Sequence, residues 1–173
     1  FLDGPGNSDN AAYVEQALKV RPFDGTVLFH VGQATLLAGD LERGLEYWRR
    51  SYDCGRAYQR QVIVWLAGRI VPDSLDEDAS VMIDIFEPDL YGLRFMYNRY
   101  RQLALPDQLT RLLVALGEKA AQEARLAMAE SRMEEAAEYW LEAMTMYVEM
   151  DDYAAGLASA QEALGCNPHD FRT

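Results

Sequence analysis

The octapeptide Leu41-Glu42-Arg43-Gly44-Leu45-Glu46-Tyr47-Trp48 returns as Met133-Glu134-Glu135-Ala136-Ala137-Glu138-Tyr139-Trp140, with the leading apolar residue, the small residue and the Glu-Tyr-Trp in register. Such recurrence constrains the fold more than any single motif, because self-similar segments bury their apolar faces by stacking on one another. The two tryptophans lie 92 positions apart. A chain of 173 residues, half apolar and a quarter charged, has ordinary globular composition, and its length predicts one domain or one uninterrupted array.

Periodicity reads as helix after helix. Residues 9–20 place Ala12, Val14, Ala17 and Leu18 on one stripe, with Asn10 as a cap and Pro22 as the stop. A second helix is predicted from about Thr26 to Ala38, capped by Asp24 or Thr26, striped by Leu28, Val31, Gly32 and Thr35, and ended by Gly39. In a third, Leu41, Leu45, Trp48 and Tyr52 share one face while Glu42, Arg43, Glu46, Arg49 and Arg50 point outward. Helices over 58–71 and 89–104 follow, delimited by Pro72, Pro88 and Pro106. Four more are predicted over 107–116, 118–131, 133–149 and 151–165. No segment alternates as a strand does. Between Pro72 and Glu87, acids surround Val81, Met82, Ile83, Ile85 and Phe86, which predicts a loop with one short helix.

Several function classes fall away on composition. The net charge of −12 repels phosphate backbones, so no nucleic-acid partner is expected. The longest apolar run, Val62–Ala67 with Gly68, is far short of the roughly 20 residues a spanning helix needs, so the domain is expected not to insert into a membrane. Cys54 and Cys166 make neither a disulfide framework nor a metal motif, and leave cytoplasm and periplasm equally open. Residues 1–8 read as a disordered edge segment, and a start at Phe1 suggests a piece cut from something longer, with one domain over 9–173. His30 and His169 stand far apart with no zinc signature, and no phosphate loop, Gly-x-Gly-x-x-Gly or nucleophile elbow occurs. Asp76, Asp78, Ser80, Ile83, Asp84 and Glu87 match positions of a calcium loop, but Val81 stands where the sharp turn demands Gly. An acidic connecting loop is expected there instead. The reading is of no enzyme, no cofactor and no bound metal, with an unrecognised helical enzyme as the remaining alternative.

Residues 25–58 resemble a tetratricopeptide repeat through Leu28, Val31-Gly32, Gly39-Asp40, Gly44, Trp48 and Ser51, with Thr35 and Gly44 departing from the usual Tyr or Leu and the usual Ala. A second match covers 137–170, through Trp140, Ala143-Met144, Tyr147, Asp151-Asp152-Tyr153, Gly156, Ala160, Ala163-Leu164 and Pro168, and leaves 59–136 degenerate. The two frames place Trp140 differently: its Glu-Tyr-Trp makes it a second-helix residue, the frame ending at Pro168 a first-helix one. The resemblance implies an all-α fold, a right-handed α-solenoid of four or five antiparallel helix pairs, irregular in the middle. It also implies a protein-interaction scaffold whose first helices line a concave groove for a peptide or partner helix. Trp48 and Trp140 are expected in the core.

On that frame the candidate groove residues are Phe29 and Gln33, with Leu36 or Leu37 beside them, then Trp65 and Arg69, then Arg94, Asn98 and Arg101. The last three lie at i, i+4 and i+7, opposite an apolar face of Leu93, Met96, Tyr97 and Tyr100. Guanidinium offers a planar donor fork and Asn both donates and accepts, a pairing suited to carboxylates and peptide amides. Phe29 and Gln33 occupy the places of the Lys and Asn of the family's chaperone-tail clamp, so chaperone C-termini are not the expected ligand. Six Arg fall between Arg43 and Arg69, and eleven acids between Glu118 and Glu162, a polarity that could orient a partner, drive weak self-association head to tail, or serve solubility. A weaker resemblance, through Trp48-Arg49-Arg50, Arg60-Gln61-Val62-Ile63 and Phe86-Glu87-Pro88-Asp89-Leu90, is to soluble repeat domains of bacterial O-antigen ligase-like proteins. It implies an extracytoplasmic domain recruiting partners or glycan for polysaccharide assembly.

Overall fold

The structure is a computed structural model, and it describes residue 13 and residues 16–67, 78–104 and 106–167. Among them every regular element is helical: α1 (16–20), α2 (Gly25–Leu37), α3 (Leu41–Tyr52), α4 (Arg56–Ala67), α5 (Asp78–Phe86), α6 (Leu90–Gln102), α7 (Pro106–Ala129), α8 (Met133–Glu149) and α9 (Tyr153–Cys166). They group into two compact units, the first holding α1 to α4 and the C-terminal part of α5, the second the start of α5 and α6 to α9.

In the first unit, Asp24 opens α2 by accepting the Thr26 and Val27 backbone N–H groups at 2.9 and 3.2 Å. Helices α2 and α3 then approach so closely that a Cβ on Gly32 would run into the Trp48 indole and one on Gly44 into Leu36. Two side chains of α3 satisfy themselves on α2: Trp48 Nε1 donates to the Phe29 carbonyl at 3.0 Å, and Ser51 Oγ to the Gly25 carbonyl at 2.8 Å. Trp48 is wholly buried, as expected. The buried side of α3 is Gly44, Tyr47, Trp48, Ser51 and Tyr52, so the expected stripe beginning at Leu41 is corrected: Leu41 is 65% exposed. Small Gly44 and Ser51 admit the α2 backbone, and that approach, not the row of leucines, chooses the face. At the far end of α3, Tyr52 packs against Phe86 with ring centroids 5.3 Å apart.

The second unit differs from expectation in one element. Separate helices are expected over 107–116 and 118–131, yet α7 runs unbroken for 24 residues, through Gly117. One interior Gly costs a helix about 1 kcal/mol relative to Ala. Against that, α7 buries Leu112, Leu113, Leu116, Ala120, Ala121, Ala124 and Ala127, and the Tyr147 ring lies where a Cβ on Gly117 would stand 3.2 Å away. Helix α7 packs along α6 and α8, and α8 along α9. The short helix expected between Pro72 and Glu87 is α5, and its start is tied into this unit by the Ala79 N–H donating to Gln108 Oε1 at 3.0 Å.

Three turns share one backbone geometry. Gly39, Ser131 and Asp151 have φ of 90°, 61° and 61°. After them, the N–H groups of Asp40, Arg132 and Asp152 reach back to the carbonyls of Thr35, Ala127 and Tyr147 at 3.2, 2.8 and 2.9 Å. This is the Schellman closure, in which a left-handed residue lets the chain satisfy the orphan carbonyls of a finished helix. Trp48 and Trp140 each stand eight positions after such a turn, so the repeated octapeptide marks a repeated turn-and-helix unit. Helix α8 has the same turn at both ends.

Candidate functional site

Of the candidate groove residues, those on α6 form the most developed surface. Asp89 caps this helix by accepting the Gly92 N–H at 2.8 Å, and Leu90, Gly92, Leu93, Met96 and Tyr100 turn inward. The opposite side therefore presents Arg94, Asn98 and Arg101, all exposed. The same geometry that buries the apolar residues spaces these three along one row.

That row faces acids on α8. Arg94 forks onto the Glu142 carboxylate through Nε at 2.5 Å and through Nη2, a bidentate arrangement that fixes the guanidinium plane. One helical turn on, Tyr97 OH donates to Glu149 Oε2 at 2.7 Å. The Glu142 hydrogen bond holds Arg94 still further toward its charged form, with burial opposing. Burial first, and the Glu149 hydrogen bond second, push the Tyr97 phenol above its ordinary value, while nearby Arg101 pulls it down. Farther back on α8, Tyr139 OH donates to Glu135 Oε1 at 3.0 Å, and Glu135 is paired with Arg132. The acidic side of α8 thus consists of Glu135, Glu142 and Glu149, seven residues apart, with Tyr139 between the first two.

Sequence reasoning found Arg94, Asn98 and Arg101 but placed Tyr97 on the apolar face. It is half-buried, and its hydroxyl joins the polar row, which corrects that assignment. Glu142 and Glu149 went unrecognised. Their seven-residue spacing was visible, but acids at helical intervals read as solvated surface until a cation is seen opposite them.

In the first unit the outcome differs. Phe29, expected on an exposed groove face, is only 4% exposed and is corrected to a core residue: its ring stacks on Trp48 at 5.7 Å with the planes 9° apart. Trp65 is half-buried and meets the same indole edge-on at 4.5 Å. Both are packing for Trp48, whose large ring needs walls on two sides. Gln33 is half-buried, Leu36 is half-buried against Gly44, and Leu37 is exposed. Arg69 lies outside the described residues.

Among the described residues, no cluster of His, Cys, Asp and Glu is arranged to hold a metal ion, and no helix is long and apolar enough to cross a membrane. Cys54 and Cys166 are free thiols. No protein-family model and no curated protein sequence matches the chain.

Proposed function

We propose that the chain is a non-catalytic protein-interaction scaffold, built as a right-handed solenoid of antiparallel helix pairs like those of tetratricopeptide arrays, and that its second unit receives a peptide or partner helix along the face of α6 and α8. The observation that carries this reading is the exposed row Arg94–Asn98–Arg101, held to α8 through Arg94 and the neighbouring Tyr97 and backed by a buried apolar side. The two braces rise together, residue 94 to 142 and residue 97 to 149, which is how alternate helices of a stack relate when the helix between them runs the other way.

The chemistry of the row also narrows the ligand. Glu142 already fills the fork of Arg94, so an incoming carboxylate there must displace a charge-assisted pair. Asn98 and Arg101 are the groups through which a partner gains most: the amide suits a backbone peptide group, the guanidinium an acidic side chain. A partner captured by the purified chain from lysate and identified by mass spectrometry tests this. Asn98→Ala with Arg101→Ala is expected to weaken that partner about tenfold or more and to leave the melting temperature within about 2 °C, as surface changes do. Undiminished capture would place the binding face elsewhere.

A further inference from the structure

Helix α2 and its C-cap carry three small side chains, Ala34, Thr35 and Ala38, along the side that looks between α1 and α3. Among the described residues nothing large fills that space, and an open cleft of about 600 Å³ results, inside the size range of small-molecule sites. Its walls are apolar, made by Leu18, Val31 and the Tyr47 ring. Thr35 brings no unmet hydroxyl to it, since Oγ1 donates to the Val31 carbonyl of its own helix at 2.8 Å.

The rim has the opposite character. In a chain of net charge −12, Lys19, Arg43 and Arg50 converge on this one opening. Two of these cations are held in place: the guanidinium carbons of Arg43 and Arg50 each lie 5.8 Å from the centroid of the Tyr47 ring, and Arg50 Nη2 donates to the Pro22 carbonyl at 2.9 Å. The acid among the lining residues, Asp40, is engaged as the cap of α3, accepting the Arg43 N–H at 3.2 Å. An apolar interior under a positive rim complements a molecule with a hydrocarbon body and one anionic head. A peptide backbone fits less well, because the walls are apolar and the Thr35 hydroxyl is already bonded within its own helix.

We infer that this cleft is a binding site for a medium-chain carboxylate, its chain laid along Ala34, Thr35 and Ala38 and its head at Arg43, Arg50 and Lys19. The site is independent of the α6 and α8 face, so its failure leaves that reading intact. Calorimetric titration of the full chain with decanoate, and with decanol as the neutral control, tests the assignment. Decanoate is expected to saturate one site below about 1 mM and to exceed decanol at least tenfold in affinity. Thr35→Leu fills the cleft and is expected to remove at least tenfold of that affinity without lowering the melting temperature. Ala38→Leu, at an exposed lining residue, does the same by a second route, and Arg50→Gln with Lys19→Gln erases the preference over decanol. No saturable decanoate binding below about 1 mM, equal binding of decanol by the parent chain, or undiminished binding by both cleft-filling variants would each overturn the inference.

Discussion

Trp48 touches nearly every feature of the first unit: its indole lies against Gly32, stacks on Phe29, meets Trp65 edge-on and gives its N–H to a carbonyl of α2. Truncating a buried aromatic of this kind leaves a cavity that close helix packing cannot collapse, and Trp48→Ala is expected to cost about 3–5 kcal/mol in urea denaturation. Arg94 and Glu142 behave differently. The Arg94 side chain is 46% exposed, so solvent screens the pair, and Arg94→Ala or Glu142→Gln is expected to change stability by less than about 1 kcal/mol in the same measurement. Larger losses would make the pair structural. The core role of Trp48 was legible because its place in the octapeptide fixed its face. Phe29 was not: it sits beside the inward stripe of α2, and what encloses it, Trp48 and the neighbouring Trp65, comes from two later helices.

At the level of whole elements, punctuation was the dependable signal. Asp24, Gly39-Asp40 and Pro88-Asp89 fall at helix boundaries, because caps and left-handed turns act over a few residues and leave a local imprint. Gly117 shows the converse: whether a glycine ends a helix depends on what packs beside it, and the Tyr147 ring is supplied from 30 positions away. The repeated turn offers a direct test. Ser131 holds φ of 61°, a conformation that costs a residue with a Cβ about 1–2 kcal/mol and glycine almost nothing. Ser131→Gly is expected to raise stability by about 0.5–1 kcal/mol, offset in part by the added freedom of the unfolded chain, and a thermal melt reads it. Destabilisation would mean that the serine has a role in the turn that its backbone does not reveal.

Across the molecule, two compact units imply separable resistance to opening. In Trp48→Ala, amide exchange of α2, α3 and α4 is expected to accelerate steeply while that of α7, α8 and α9 keeps its native rate, as followed by mass spectrometry of peptic fragments. Uniform acceleration would indicate one cooperative body. The all-helical class was readable from sequence, since no segment had the alternation of a strand. The division into two units was not, because it depends on which side of each helix finds a partner. The chain comes into α8 and goes out of it by the same joint, at Ser131-Arg132 and at Asp151-Asp152. Matching couplings front and back mean that one short backbone device, used twice, sets both ends of this helix.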